Sequence, residues 1–152
     1  MDELEEGDPE AVALANARAK ARAVAARHPG ERVLGADTVV ALDARILGKP
    51  EDEVQAADWL AALSGRTHRV LCGLCLIGPQ GEREGLDVTE VAFRDLSQRE
   101  VRDYVAGGEW RGKAGGYAIQ GRGAGLVRSV SGDYYTVVGL PVAALLELLQ
   151  DP

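Results

Sequence analysis

Asp37 is the only charge in the apolar run Val33–Leu42, and Lys49 follows a short way on, between Gly48 and Pro50. A carboxylate inside a buried strand is costly unless it meets a cation, a metal, a substrate or a set of backbone N–H groups. Lys49 has a glycine before it, where backbone can come close to a ligand, and a proline after it that suits the first position of a helix. A second stretch of interest is Glu109–Gly125, EWRGKAGGYAIQGRGAG, and ten of the nineteen glycines lie between Gly107 and Gly139. Such density fits a loop whose backbone approaches a ligand or turns left-handed, and equally an irregular surface loop. Its polar handles are Lys113 and Gln120.

Several elements must position these residues. Val33–Leu42 reads as a strand buried on both faces. Asp8-Pro9-Glu10 starts a helix that runs to about Arg27, alanine-rich and carrying Arg18, Lys20, Arg22 and Arg27, cations that by composition alone form a wet face. Glu51–Leu63 carries a helical apolar stripe. Thr67–Ile77 and Leu86–Phe93 read as an antiparallel hairpin, with a slip in alternation near Thr89-Glu90 that suggests a bulge. Ser97 and Glu100 spell a capping box for a short helix to Ala106. Leu126–Val130 and Tyr134–Val138 read as a second hairpin around Ser131-Gly132-Asp133, with Tyr134 and Tyr135 packed in it, and Pro141–Leu149 as a final helix. Cys72 and Cys75 sit three apart in a strand, so they face opposite ways, cannot clamp one metal and read as small buried hydrophobes.

A chain of 152 residues fits one domain, and 27% charged residues is ordinary for a globular protein. No apolar run reaches membrane-spanning length and the acidic start is unlike a signal peptide, so a cytoplasmic location is expected. The net charge of −7 argues against broad binding to nucleic acid or anionic membrane. Any phosphate-bearing ligand must be held by a few placed cations or by Mg²⁺.

The motifs, in order, are Asp2-Glu3, the A-x-x-K-A of Ala17–Ala21, GADT at Gly35–Thr38, GKP at Gly48–Pro50 and L-S-G-x-x-H at Leu63–His68, followed by T-x-V-x-F at Thr89–Phe93, KAGGYAIQGRG at Lys113–Gly123 and SGDYYTVVGLP at Ser131–Pro141. In this order and spacing they resemble the Maf family of nucleoside triphosphate pyrophosphatases. The resemblance implies an α/β fold of the Maf/ITPase type over 1–152, a mixed, elongated sheet flanked by helices with an active cleft between two lobes. It implies hydrolysis of a nucleoside triphosphate to the monophosphate and pyrophosphate, with a divalent metal, Mg²⁺ or alternatively Mn²⁺, and a homodimer. Carried over by motif, Asp37 is the general base or a metal-bound carboxylate, Glu3 is the second acid at the metal, and Lys20, Lys49 and Lys113 hold the triphosphate. Thr38 and Gln120 follow the branch acting on dTTP and UTP. His68 reads as structural, and Arg18 and Arg22 keep their solvent-facing reading. The family's opening strand and Ser-x-Ser-Pro-Arg-Arg phosphate loop have no counterpart here, which suggests a misplaced start or a shortened chain. Two rival readings are a non-catalytic nucleotide-binding regulator of cell division and an inactive fragment.

Overall fold

The computed structural model describes residues 3–150; Asp2 of the opening motif lies outside the described residues. Five strands form one sheet in the order β2-β1-β3-β4-β5: β1 (Val33–Leu42), β2 (Arg45–Leu47), β3 (Thr67–Gly78), β4 (Gly81–Phe93) and β5 (Val127–Ser131). The helices are α1 (Pro9–Ala25), α2 (Glu53–Leu63), α3 (Gln98–Ala106), α4 (Tyr134–Val138) and α5 (Val142–Leu149), with 3₁₀ turns at Ala114–Gly116 and Gly121–Leu126. The expected sheet flanked by helices is present, but all its pairings among the described residues are antiparallel rather than mixed. Tight turns make β1–β2 and β3–β4 hairpins, and α2 returns the chain antiparallel to β1.

Local signals account for the elements. The Asp8 carboxylate accepts the Ala11 N–H at the start of α1, Asp52 accepts the Gln55 N–H at the start of α2, and Ser97 with Glu100 forms a complete capping box on α3. Asp43 adopts a left-handed conformation, φ 55°, in the turn joining β1 to β2. The core lies on both faces of the sheet. Val12, Ala13, Val39, Ala41 and Leu71 pack under α1, while Val40, Leu42, Leu60, Leu63, Val70, Val91 and Phe93 pack with α2 and α3 on the other face.

Three sequence expectations need correction. Tyr134–Val138 is a helix and not the second strand of a hairpin: Asp133 caps it by accepting the Tyr135 N–H, and Gly139 ends it with φ 130°. Its Tyr134 and Tyr135 are exposed, stacked edge-on against each other. The register irregularity lies between Ala92 and Phe93 in the β4–β5 pairing, while β3–β4 runs in register through Thr89-Glu90. And β1 is buried on both faces only from Val39 to Leu42; Leu34 is exposed and Ala36 and Thr38 are half-buried.

Candidate active site

The alanine stripe of α1 sets the approach. Ala13, Ala17 and Ala21, each one turn from the next, are fully buried against β1 and β3 where Gly35 and Gly73 stand. A Cβ on Gly35 would lie 2.2 Å from the Ala17 carbonyl oxygen, and one on Gly73 would lie 2.5 Å from that of Ala13. Helix backbone therefore rests directly on the sheet, and Asn16 and Lys20, which flank the stripe one turn apart, reach Asp37. Asn16 Nδ2 donates to Asp37 Oδ2 at 3.1 Å, and Lys20 Nζ donates to Oδ1 at 2.9 Å. The same amide nitrogen donates to the Leu4 carbonyl at 3.0 Å, and Asn16 Oδ1 accepts the Leu4 N–H at 2.8 Å. That two-way pairing fixes the Leu4 backbone and brings in Glu3, whose Oε1 is 2.8 Å from Lys20 Nζ and whose Oε2 is 3.9 Å from Lys49 Nζ.

The short second strand opens the site. β2 pairs only with Val40–Leu42, so among the described residues Ala36–Val39 has no strand beside it on that side. A cleft of about 300 Å³ wraps around this bare edge and is lined by Glu3, Lys20, Asp37, Thr38, Lys49, Lys113 and Gln120, all the residues singled out from the sequence. Its far wall is Tyr117, Ala118, Ile119 and Val137–Gly139. The cleft is thus charged at the Asp37 end and largely apolar at the α4 end. Adjacent residues of a strand point to opposite faces: Asp37 turns toward α1, and Thr38 turns the other way, where its hydroxyl donates to Cys72 Sγ at 3.8 Å. Lys49 and Lys113 stand exposed on the rim, Lys113 brought near by the Gly115 N–H donating to the Gly48 carbonyl at 3.0 Å. Gly115 has φ 73° and lies so close to Val40 that a Cβ would sit 3.0 Å from its side chain. Gly115 and its neighbour Gly116, which sits 3.2 Å from Pro50 by the same measure, therefore serve close packing on the protein.

Hydrogen bonding from Lys20 holds the Glu3 carboxyl below the usual range. Burial pulls the Lys20 ammonium down, but its bonds to Glu3 and Asp37 outweigh that and leave it raised. The two carboxylates share one ammonium, so their oxygens already bracket a cation, and an all-oxygen donor pair suits a hard divalent ion. Glu3 and Asp37 fit that role. Cys75, Glu82 and Glu84 also bring ligand atoms within 4.8 Å of one another. There, however, Arg18 binds Glu84 and Arg22 binds Glu82 through paired nitrogens, so these arginines pair with β4 rather than simply facing solvent. Cys72 and Cys75 are both buried and free, on opposite faces.

His68 is core. It is 1% exposed, its Nε2 pairs with the Tyr117 hydroxyl at 2.6 Å, and it meets Phe93 and Tyr117 edge-on. Sequence reasoning missed Asn16, the Ala36 carbonyl, which accepts from Lys20 Nζ at 3.5 Å, and the α4 wall. Asn16 had a signal: asparagine is unfavourable inside a helix, and this one sits one turn before Lys20.

A family model described as Maf-like protein matches residues 1–152. The chain belongs to the Maf family. It is similar to Maf relatives named dTTP/UTP pyrophosphatase. That of Pyrococcus furiosus is 45% identical over 149 residues, covering 98% of this chain and 78% of the relative. That of Deinococcus radiodurans is 48% identical over 149 residues, with 98% and 76% covered. That of Paramagnetospirillum magneticum is 54% identical over 134 residues, with 88% and 70% covered.

Proposed function

We propose that this Maf chain, as a single domain, is a hydrolase of nucleoside triphosphates that acts on dTTP and UTP and yields the monophosphate and pyrophosphate. The observation that carries this is Asp37, a carboxylate 6% exposed, held from both oxygens by Asn16 and Lys20 at the floor of a cleft rimmed by Lys49 and Lys113. A protein that only binds nucleotide has use for the lysines but little for a buried, oriented acid, which disfavours the regulator. Asp37 orients the attacking water or takes its proton. Lys20, Lys49 and Lys113 gather around the phosphates and offset charge developing on the leaving pyrophosphate. Thr38 and Gln120 face the nucleoside. When bound, a divalent ion, Mg²⁺ or Mn²⁺, supplies charge neutralisation on phosphate oxygens, and Glu3 and Asp37 are the residues that would hold it.

A homodimer and a cytoplasmic location belong to the same proposal. Among the described residues no helix is long and apolar enough to cross a membrane. The test is pyrophosphate release with Mg²⁺ across dTTP, UTP, CTP and GTP. Asp37→Asn is expected to lower kcat by about a hundredfold or more while nucleotide binding persists. Equal turnover by Asp37→Asn and the native chain would sink the assignment.

A further inference from the structure

A polar row leads away from the cleft across the sheet. Thr38, Cys72 and Asp87 are direct cross-strand partners on β1, β3 and β4 and so share a face. Thr38 Oγ1 donates to Cys72 Sγ, which donates to the Gly139 carbonyl at 3.6 Å. The Asp87 carboxylate is served by two hydroxyls, Thr89 Oγ1 at 2.9 Å and Thr136 Oγ1 closer still. Thr89 Oγ1 also accepts the Asp133 N–H at 3.0 Å, and Gly132 lies so near that a Cβ would fall 2.6 Å from that hydroxyl. Thr89 and Thr136 are both fully buried. Helix α4 is therefore fastened to the sheet at its start through Asp133, in its middle through Thr136 and at its end through Gly139. A helix of five residues cannot hold itself by its own ladder, so these polar contacts, together with Val137 packed against the core, set where it lies.

We propose that Asp87, with Thr89 and Thr136, is a positioning device for substrate selection: it holds α4 as the wall against which the nucleoside packs. It governs which base is accepted and not how fast the phosphate bond breaks. This rests on the hydrolase reading, which puts the triphosphate among Lys20, Lys49 and Asp37 and so leaves the nucleoside beside Val137–Gly139.

The test is calorimetric binding of the non-hydrolysable α,β-methylene analogues of dTTP and GTP to the full chain, with kcat and KM for dTTP alongside. Thr136→Val removes the hydroxyl at constant shape, and Thr136→Ser restores it. Thr136→Val is expected to weaken the dTTP analogue and raise KM about tenfold, to narrow the native preference for dTTP over GTP, and to leave kcat within about twofold. Thr136→Ser returns to native values. Should Thr136→Val fail to fold, Asp87→Ala removes the oxygen that accepts both hydroxyls, and reads the same ratio. An unchanged ratio in a folded variant, or a native chain with no preference between the analogues, overturns the inference. A native chain that binds the analogues yet releases no pyrophosphate defeats the hydrolase reading alone, because the ratio of the two affinities still decides this one.

Discussion

Asn16 donates its amide to Asp37 Oδ2 at 3.1 Å while the same side chain grips the backbone of Leu4 in both directions. One carboxamide thus joins the opening segment, helix α1 and strand β1 at the acid of the site. Neither an aspartate nor an alanine can do this, since only an amide both donates twice and accepts.

Asn16→Ala is expected to cost about 1–3 kcal/mol of stability, because it leaves a buried carboxylate oxygen and the Leu4 peptide groups short of partners. It should also lower kcat, as Asp37 and Glu3 lose their common brace. Urea unfolding and steady-state kinetics on the same preparation read both effects, and native kinetics from Asn16→Ala would refute the bracing role.

His68 makes acid stability predictable. Burial lowers its pKa from 6.5 to about 4, so the folded protein keeps the ring neutral over a range where the unfolded chain takes up a proton. The depressed value means that this contribution is fully present above pH 6.5, falls as the pH drops, and levels off below about 4. The loss across that window is ~3 kcal/mol, from about two and a half pH units. Urea unfolding at a series of pH values should show this slope in the native chain and not in His68→Leu. Parallel pH profiles for the two proteins would contradict it.

Gly73 tests the close seat of α1. In Gly73→Ala the new methyl meets the Ala13 carbonyl and the Leu14 nitrogen, all rigid backbone, at 2.5 to 2.9 Å. A loss of about 1–3 kcal/mol is expected, with reduced turnover as Asn16 and Lys20 move off Asp37. Gly85→Ala is the control: its methyl would touch only Leu74 Cβ at 4.0 Å, and stability and activity should stay near native. Equal unfolding midpoints for the two variants would show that α1 tolerates a looser seat.

Much of this architecture is readable from the chain. The capping residues Asp8 and Ser97 announce their helices because side-chain acceptors at those positions answer local N–H groups. Asp37 stands out because an acid in an apolar strand needs an explanation, and the structure supplies Asn16 and Lys20. What was hidden depends on distant contacts. Tyr134–Val138 has the β-branched and aromatic make-up of a strand, and it is helical because Asp133 caps it and Thr136 reaches Asp87 on another strand. β2 was hidden because three residues carry no alternation to read. The packing role of Gly115 was equally invisible, since its neighbour Val40 is far away in sequence.

Asp37 and Thr38 are joined by a single peptide bond, yet their side chains leave the sheet on opposite sides, one toward α1 and the other toward α4. The acid and its braces hang on one scaffold, and the wall beside Thr38 hangs on another. On the proposal that the nucleoside packs on that wall, changes in Asp87, Thr136 or α4 would retune preference among nucleotides and leave Asn16, Lys20 and Asp37 in place. A chain built this way can diversify its diet without reinventing its chemistry.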